Sequence, residues 1–380
     1  MHLHRLIPAL AAPLCAMLLT GGASLPSENI NIVMVGDVLL HTPVEEAAAN
    51  PDGSYSFDFI FENMKNEISS ADIAIVNQEV IIGGKDLGVS GYPAFNAPYE
   101  IGDALVNAGF DVVCHATNHT LDKGKRGVVN TLDYWSSSHA GTTVVGINKD
   151  EKAYRNVDII TVKNTKIAIL NYTYGTNGIS MPSDMPHAVD MLDKKKVVSD
   201  LKFAEENADF TIVCPHWGTE YSLSADKNQK MWNEIFRENG ADLVLGTHPH
   251  VIEPIVFEND DIPGNGNNHG GGDMLTYYSL GNFVNWTSGI GKGTANRMVG
   301  GMAKVTLGKD SNGEVVIKDH GIRALVCHVK SGAKAVTVFP LSRYTDDMGK
   351  ENEIVKQDSS FSKAYCEDLC NKVWGAGKWK

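Results

Sequence analysis

The stretch Asp242-Leu243-Val244-Leu245-Gly246-Thr247-His248-Pro249-His250 gives the strongest indication of the fold of this chain. Its apolar part, Asp242 to Leu245, predicts a buried strand, and the residues after it predict the loop at the end of that strand. In extended backbone, residues two positions apart point to the same side, so His248 and His250 are expected to face one point. Pro249 stiffens the turn that presents them. Two imidazoles at one strand end predict a metal site.

Four other polar clusters also occur at predicted strand ends. They are Gly36-Asp37, Asn77-Gln78-Glu79, Asn118-His119 and His216. In α/β proteins, ligands bind beyond the carboxyl ends of the strands, so we expect these side chains to lie close together. Such a collection of carboxylates, amides and imidazoles could form a two-metal site that binds an oxyanion substrate.

A two-metal site needs a carboxylate that bridges the ions, and Glu79 could supply it. The candidate terminal ligands are Asp37, Asn118, His216, His248 and His250. Oxygen and imidazole donors without a thiolate suit manganese, iron, zinc or magnesium, so two divalent ions of this kind are expected. The alternative is that a lone buried histidine is a core residue with satisfied hydrogen bonds, and it applies most directly to His216.

Strands and helices alternate along most of the chain, as the spacing of apolar residues and the turn residues between the segments indicate. The predicted strands are Asn31 to Val35, Asp72 to Val76, Asp111 to Cys114, Thr143 to Gly146, Lys166 to Tyr174, Phe210 to Cys214 and Asp242 to Leu245. The predicted helices are Phe57 to Ile68, Tyr99 to Ala108, Gly127 to Ser138, Met191 to Asn207 and Lys227 to Glu238. After Gly264, four strands with hairpin-like gaps are predicted, and a polar helical tail begins at Ser359. The pattern favours an α/β layered fold with a β-rich C-terminal part.

The first residues of the chain predict export. Residues 1–24 resemble a signal peptide or an N-terminal anchor, because small residues follow the apolar run Leu6 to Thr20. That run is too short for a good permanent membrane span. The net charge of -13 argues against nucleic acid as a partner, since phosphate binding needs a basic face. We expect an exported protein, either extracellular or anchored to the outer face of the cytoplasmic membrane.

Six motifs occur together and in order, which makes them more specific than any one alone. They are Gly36-Asp37, Asn77-Gln78-Glu79, Asn118 to Gly124, His216 to Tyr221, Gly246 to His250 and Ser279 to Phe283. This series resembles the CapA family of bacterial capsule-synthesis proteins associated with poly-γ-glutamate. The likeness covers about Asn31 to Val284. The family is similar to the calcineurin-like metallophosphoesterases, which implies a four-layer α/β/β/α sandwich with a two-metal centre.

The resemblance and the strand pattern after Gly264 together predict a domain organisation. Residues 31–290 would form the metallophosphatase-like domain. Residues 291–380 would contribute C-terminal strands and a helical tail that pack on the same domain.

A role for each candidate follows from the same resemblance. Asp37 and His250 would bind the first metal, Glu79 would bridge, and Asn118, His216 and His248 would bind the second. His119 would stay off the metals and protonate a leaving group or hold a substrate oxygen. Asp122 is placed to orient His119. Turn formation and capping are the alternative functions of Asn118 and Asp122.

Two positions depart from the phosphoesterase pattern. Those enzymes have a histidine two residues after the first aspartate, whereas this chain has Leu39 there. The nearest histidine is His41, a possible metal ligand. Glu79 is longer than the aspartate it replaces, so the spacing of the metals could differ.

Four residues are candidates for substrate binding. Trp217 and Tyr221 are either packing residues or a wall of the substrate site. Glu220 could bind substrate amines or pair with a nearby base. Asn282, in the last motif, is the fourth candidate.

The leading hypothesis is an exported metal-dependent hydrolase of the CapA type. It would act in the synthesis, export or trimming of an anionic surface polymer such as poly-γ-glutamate, with a membrane-bound capsule synthase as a candidate partner. The first alternative is a secreted binuclear metallophosphoesterase acting on small phosphoesters. The second is a non-catalytic module that binds the polymer or the synthase.

Overall fold

The computed structural model describes residues 29–259, 273–286, 289–330 and 335–379. The predicted leader, residues 1–24, lies outside the described residues. The strands are β1 (Ile30–Val38), β2 (Ile73–Gln78), β3 (Val112–Cys114), β4 (Thr143–Val145), β5 (Asp158–Val162), β6 (Thr165–Thr173), β7 (Phe210–His216), β8 (Leu243–Leu245), β9 (Ile255–Glu258), β10 (Met274–Tyr277), β11 (Asn282–Val284), β12 (Val299–Lys309), β13 (Val315–Lys330) and β14 (Ala335–Pro340).

Ten α-helices connect or flank these strands in the described ranges. They are α1 (Thr42–Ala48), α2 (Asp58–Phe61), α3 (Lys65–Ser69), α4 (Glu100–Ala108), α5 (Gly124–Ser138), α6 (Glu151–Tyr154), α7 (Lys194–Asn207), α8 (Lys227–Glu238), α9 (Asp346–Glu351) and α10 (Lys363–Trp374). A short 3-10 segment, Thr294–Met298, precedes β12. None of the helices in the described part of the chain combines the length and the apolar character needed to cross a bilayer.

The strands form two mixed sheets. The first has the order β14-β13-β12-β1-β2-β3-β4, with β11 pairing with β1, and the second has the order β5-β6-β7-β8-β10-β9. In the first sheet β1 to β4 run parallel, while β12 pairs with β1 in the antiparallel sense. The C-terminal strands therefore extend the sheet that begins at the N-terminal end of the described chain.

Alternate residues of the second sheet face two different layers. Ile167 and Ile169 of β6 point into the core shared with the first sheet, whereas Ala168 and Leu170 pack with α7 and α8. Across the inter-sheet core, the Cys214 sulfur lies 3.8 Å from the Met34 sulfur. This period of two is what a strand buried between two layers requires.

Helices α2 and α4 belong to the hydrophobic core of the first sheet. Phe61 of α2 stacks on Phe283 of β11, with 5.6 Å between ring centroids. Leu105 of α4 is fully buried in the same cluster. The layers are therefore helix, sheet, sheet and helix. This confirms the predicted α/β/β/α sandwich with its β-rich C-terminal part.

Some elements differ from the prediction. The expected helix Phe57 to Ile68 is two short helices, α2 and α3, because the chain turns between them. Strand β5 was not predicted. It pairs with β6 through a tight turn in which Lys163 and Asn164 have φ of 49° and 63°, the geometry of a two-residue hairpin.

Candidate metal centre

The predicted donors meet because they come from the same ends of neighbouring strands in both sheets. Asp37 of β1 is in register with Asn77 of β2 and with Asn282 of β11. Glu79 directly follows β2. In the second sheet, β7 ends at His216, which bridges to Thr247 after β8.

The backbone of the His-Pro-His stretch is not extended, so the expected geometry of that stretch is wrong. His248 and His250 have φ of 98° and 58°, in the left-handed region that residues with side chains rarely adopt. The His248 amide donates to Asp37 Oδ2 at 3.3 Å, and the Pro249 carbonyl accepts from the Tyr221 amide at 2.7 Å. These contacts help to hold the bent backbone of His248 to His250. The two imidazole rings are nevertheless close to each other, as predicted, with 5.7 Å between their centroids.

Two three-residue donor groups share one carboxylate. The first is Asp37, Glu79 and His250, and the second is Glu79, His216 and His248. Within each group the donor atoms lie within 4.8 Å of one another. Asn118 adjoins the second group, because its Oδ1 lies 2.9 Å from His216 Nε2. The six predicted ligands are thus together, with Glu79 common to both groups.

Glu79 is buried without hydrogen bonds to its carboxyl group, although Oε1 lies 3.6 Å from His250 Nε2 and 3.8 Å from His216 Nε2. Both of its oxygens, and Nδ1 of His248, have no hydrogen-bond partner among the described residues. Burial raises the pKa of Glu79 well above its ordinary value, and Asp37 raises it further against the opposing charge of His250. Burying a carboxylate without hydrogen bonds is costly, whereas coordination of cations would satisfy it. The residues therefore fit a metal centre.

The histidines are suited to binding metal as neutral imidazoles. Burial and the neighbouring histidines hold the pKa values of His216 and His248 well below the ordinary value. For His250, burial lowers the pKa, but Glu79 and the hydrogen bond to Asp37 raise it to about 9. His250 must therefore lose a proton to bind a metal, so loading would release a proton.

A second set of residues orients the donors. Asn77 Nδ2 donates to Asp37 Oδ1 at 2.8 Å, and Thr247 Oγ1 lies 3.0 Å from His216 Nδ1. Asn282 Oδ1 lies 3.1 Å from His250 Nδ1, and its amide nitrogen donates to the His250 carbonyl. Asn282 was predicted to bind substrate, but in this structure it is a buried contact of a donor histidine. Such contacts fix the orientation of an imidazole.

His119 and Asp122 form a close pair at the edge of the donor groups. His119 Nδ1 lies 2.7 Å from Asp122 Oδ2, and this carboxylate also accepts from the Phe95 amide at 2.8 Å. The ring of Phe95 contacts the imidazole edge-on. Because Nδ1 is hydrogen-bonded to Asp122, Nε2 is the ring nitrogen through which His119 can exchange a proton with a ligand.

His41 stands apart from the donors. It precedes α1 and packs edge-on against Phe95, with 5.1 Å between ring centroids. Burial and the charges of His250, His119 and Arg297 lower its pKa to about 4. Among the described residues, none of the three candidate donor groups includes His41.

The remaining substrate candidates occupy different environments. Trp217 is 1% exposed, stacks on Tyr278 and donates from Nε1 to the Tyr278 carbonyl, which favours the packing alternative. Tyr221 is 45% exposed, and its ring centroid lies 6.1 Å from that of His250. Glu220 is exposed and forms a third donor group with His248 and His250.

Three further residues at the site were not predicted. Tyr174 packs on His248 with 4.6 Å between ring centroids, and Asn177 Oδ1 accepts from Asn118 Nδ2 at 3.2 Å. The guanidinium of Arg297 lies 3.7 Å from the centroid of the Tyr221 ring. Tyr174 directly follows β6, a position like that of the predicted donors, so the strand-end rule could have found it. Asn177 and Arg297 do not directly follow a strand, so no comparable sequence signal indicates them.

The chain resembles known proteins over most of its length. The family described as bacterial capsule synthesis protein PGA_cap matches residues 31–287. The capsule biosynthesis protein CapA of Bacillus anthracis is 27% identical over 276 residues, which cover 69% of this chain and 62% of that protein. The PGA biosynthesis protein CapA of Bacillus subtilis (strain 168) is 28% identical over 187 residues, covering 48% of this chain and 45% of that protein. The alignments thus span less than two thirds of either relative.

Solved structures also resemble this chain. The NAD nucleotidase of Haemophilus influenzae matches with a TM-score of 0.46 and 12% identity, over 91% of this chain and 59% of that one.

Proposed function

The chain belongs to the bacterial capsule synthesis protein family PGA_cap, and from this we propose that it is a metal-dependent hydrolase acting on an anionic surface polymer. The polymer would be poly-γ-glutamate, which it would process during synthesis, export or trimming. One observation carries the proposal. Glu79 is buried, both of its oxygens lack a hydrogen-bond partner in the described residues, and it joins two groups of metal donors.

The chain would hold two divalent ions. The ligands of one would be Asp37, Glu79 and His250, and those of the other would be Glu79, Asn118, His216 and His248. Bound ions of this kind lower the pKa of water and offset the negative charge that develops on a substrate oxygen. Manganese, iron, zinc and magnesium all suit these donors.

The protein side chains would position the substrate and move a proton. His119, oriented by Asp122, would donate a proton from Nε2 to the leaving group of an amide or a phosphoester. Phe95 and Asp122 would keep the imidazole in one orientation during this step.

The first test is the metal content of the purified protein, measured by elemental analysis. We expect about two transition ions per chain, and their loss in the His248→Ala/His250→Ala variant. His320→Ala is the matched control, because His320 is an exposed histidine of β13. If no ion binds after incubation with manganese and zinc, the proposal fails and a polymer-binding module becomes the better hypothesis.

The second test separates the substrate classes. The metal-loaded protein is given oligo-γ-glutamate and a simple aryl phosphate in parallel. Cleavage of the oligomer supports polymer processing. Turnover of the aryl phosphate alone, abolished in His248→Ala, would instead support a phosphoesterase.

The same proposal places the protein outside the cytoplasmic membrane, where a surface polymer is assembled. The support is the apolar run Leu6 to Thr20 with its following small residues. A membrane-bound synthase would be the natural partner there. Cell fractionation with N-terminal sequencing of the product tests the location, and recovery of the protein only from the cytoplasm would contradict it.

A further inference from the structure

Arg297 lies at the edge of the donor groups but outside the family match, which ends at residue 287. It belongs to the 3-10 segment Thr294–Met298. The Cζ atom of its guanidinium lies 3.7 Å from the centroid of the Tyr221 ring, within the range of a cation–π contact. Tyr221 in turn lies beside His250, with 6.1 Å between ring centroids. The Tyr221 ring therefore lies in contact with both the positive charge of Arg297 and a donor histidine.

The backbone ties Arg297 to the same donor. Asn282 Nδ2 donates to the carbonyls of both Arg297 and His250, at 3.0 Å in each case. Tyr221 is held by its amide, which donates to the Pro249 carbonyl at 2.7 Å. These contacts connect Arg297 and Tyr221 to the loop Thr247 to His250, which is called the histidine loop. The fold therefore sets the position of the Arg297 charge relative to the metal donors.

The positive charge of Arg297 lies beside a site that is otherwise rich in acidic residues. Asp37 and Glu220 bring negative charge to the site, and a polyanionic substrate would be repelled by them. Metal ions would offset this repulsion at the group being cleaved. A second anionic group on the substrate needs a cation of its own, and a planar guanidinium suits a carboxylate or a phosphate.

We infer that Arg297, stacked on Tyr221, determines specificity by binding an anionic group of the substrate adjacent to the group held at the donors. This rests on the proposed function and narrows its substrate class to molecules with a carboxylate or phosphate next to the scissile bond. In γ-linked glutamate each amide bond is flanked by an α-carboxylate, so the polymer meets this requirement. A diphosphate would meet it with the same chemistry.

The test measures the binding of three probes to the metal-loaded full chain by calorimetry. The probes are oligo-γ-glutamate, the same oligomer with its α-carboxylates methylated, and inorganic pyrophosphate. The variants are Arg297→Gln, Arg297→Lys and Tyr221→Leu, and Arg155→Gln is the control because Arg155 is an exposed arginine that pairs with Glu151 of α6. Metal content is measured for every variant.

We expect Arg297→Gln to weaken binding of the anionic oligomer by roughly 10- to 100-fold, as for the loss of a charged hydrogen bond. Methylated oligomer should bind the wild type and this variant equally. Arg297→Lys should recover part of the affinity, since it keeps the charge without the planar fork. Tyr221→Leu should weaken binding without removing the charge, and metal content should not change.

The outcomes separate this inference from the proposed function. Equal affinity of Arg297→Gln and wild type for the oligomer would overturn the role of Arg297 while leaving polymer binding in place. Arg297-dependent binding of pyrophosphate, without binding of the oligomer, would support the inference and reject the polymer. A metal-loaded wild type that binds none of the anions would overturn the inference.

Discussion

At the scale of single residues, Glu79 determines what the site can do. It is the member common to two donor groups, and it is buried with no hydrogen bond to either carboxyl oxygen among the described residues. Ionisation of such a group is costly unless a cation offsets its charge, which His250 does from 3.6 Å and which bound metal ions would do more directly.

Replacing Glu79 with glutamine should reduce the metal content from about two ions per chain to about one or none, because a neutral amide cannot bridge two cations. Glu79→Asp keeps the charge and should retain more metal. Elemental analysis after dialysis against metal-free buffer gives the result. Glu79→Gln protein that still holds as much metal as the wild type would show that Glu79 does not bridge.

His119→Asn should lower kcat by roughly 10²- to 10⁴-fold on any substrate that the wild type hydrolyses, because the proton donor is lost. The metal content should stay the same, since His119 lies outside the three donor groups of the described residues. Asp122→Asn should cause a smaller loss, because it disturbs only the orientation of the imidazole. Loss of metal from His119→Asn would instead identify this residue as a ligand.

At the scale of secondary structure, Glu253 links three elements. It follows the histidine loop, and its Oε2 accepts from Gln229 of α8 at 2.6 Å. Its carbonyl accepts from Trp374 of α10 at 3.0 Å. Gln229 also completes the capping box of α8 with Asp226, so the carboxyl group of Glu253 supports the start of that helix.

Glu253 should make the protein less stable as the pH rises. Burial raises its pKa from 4.5 to about 8 despite the hydrogen bond from Gln229. The folded state therefore keeps a proton that the unfolded chain releases between about pH 4.5 and 8, and stability falls through that window.

Glu253→Gln should remove on the order of 1–3 kcal/mol of this pH dependence. The measurement is urea denaturation of metal-free protein from pH 5 to 8. Glu234→Gln, which removes the same charge from an exposed position on α8, is the control. A pH dependence that is the same in Glu253→Gln and the wild type would contradict the assignment.

The elements also show how far sequence can predict this site. The apolar strands and the polar residues after them predicted an α/β layered fold and put the six metal candidates at strand ends, because strand ends are set by local pattern. The four-layer arrangement was predicted from the family resemblance. The bend of His248 and His250 could not be predicted, since it depends on contacts with Asp37 and Tyr221 from distant parts of the chain. Arg297 was missed for the same reason, because nothing near it in sequence indicates its contact with Tyr221.

At the scale of the whole molecule, the C-terminal strands complete the sheet that carries Asp37. Strand β12 pairs with β1 from Ile30 with Leu307 to Val35 with Met302. Without β12, that side of β1 would become an edge with unpaired backbone groups and exposed apolar side chains.

A fragment ending at residue 290 should therefore aggregate, although it contains all the metal candidates. Solubility and size-exclusion chromatography of this fragment beside the full chain test the expectation. A soluble, monomeric fragment that binds metal would show that the C-terminal part is dispensable for folding.

The donors come from both sheets, and this has a mechanical consequence. Asp37 and Glu79 are attached to the first sheet, whereas His216, His248 and His250 are attached to the second. Ions held between them would act as cross-links between the two halves of the sandwich. Metal occupancy of the site would then be coupled to the rigidity of the sandwich. In the metal-free protein the two sheets would separate slowly, and metal binding would suppress this motion.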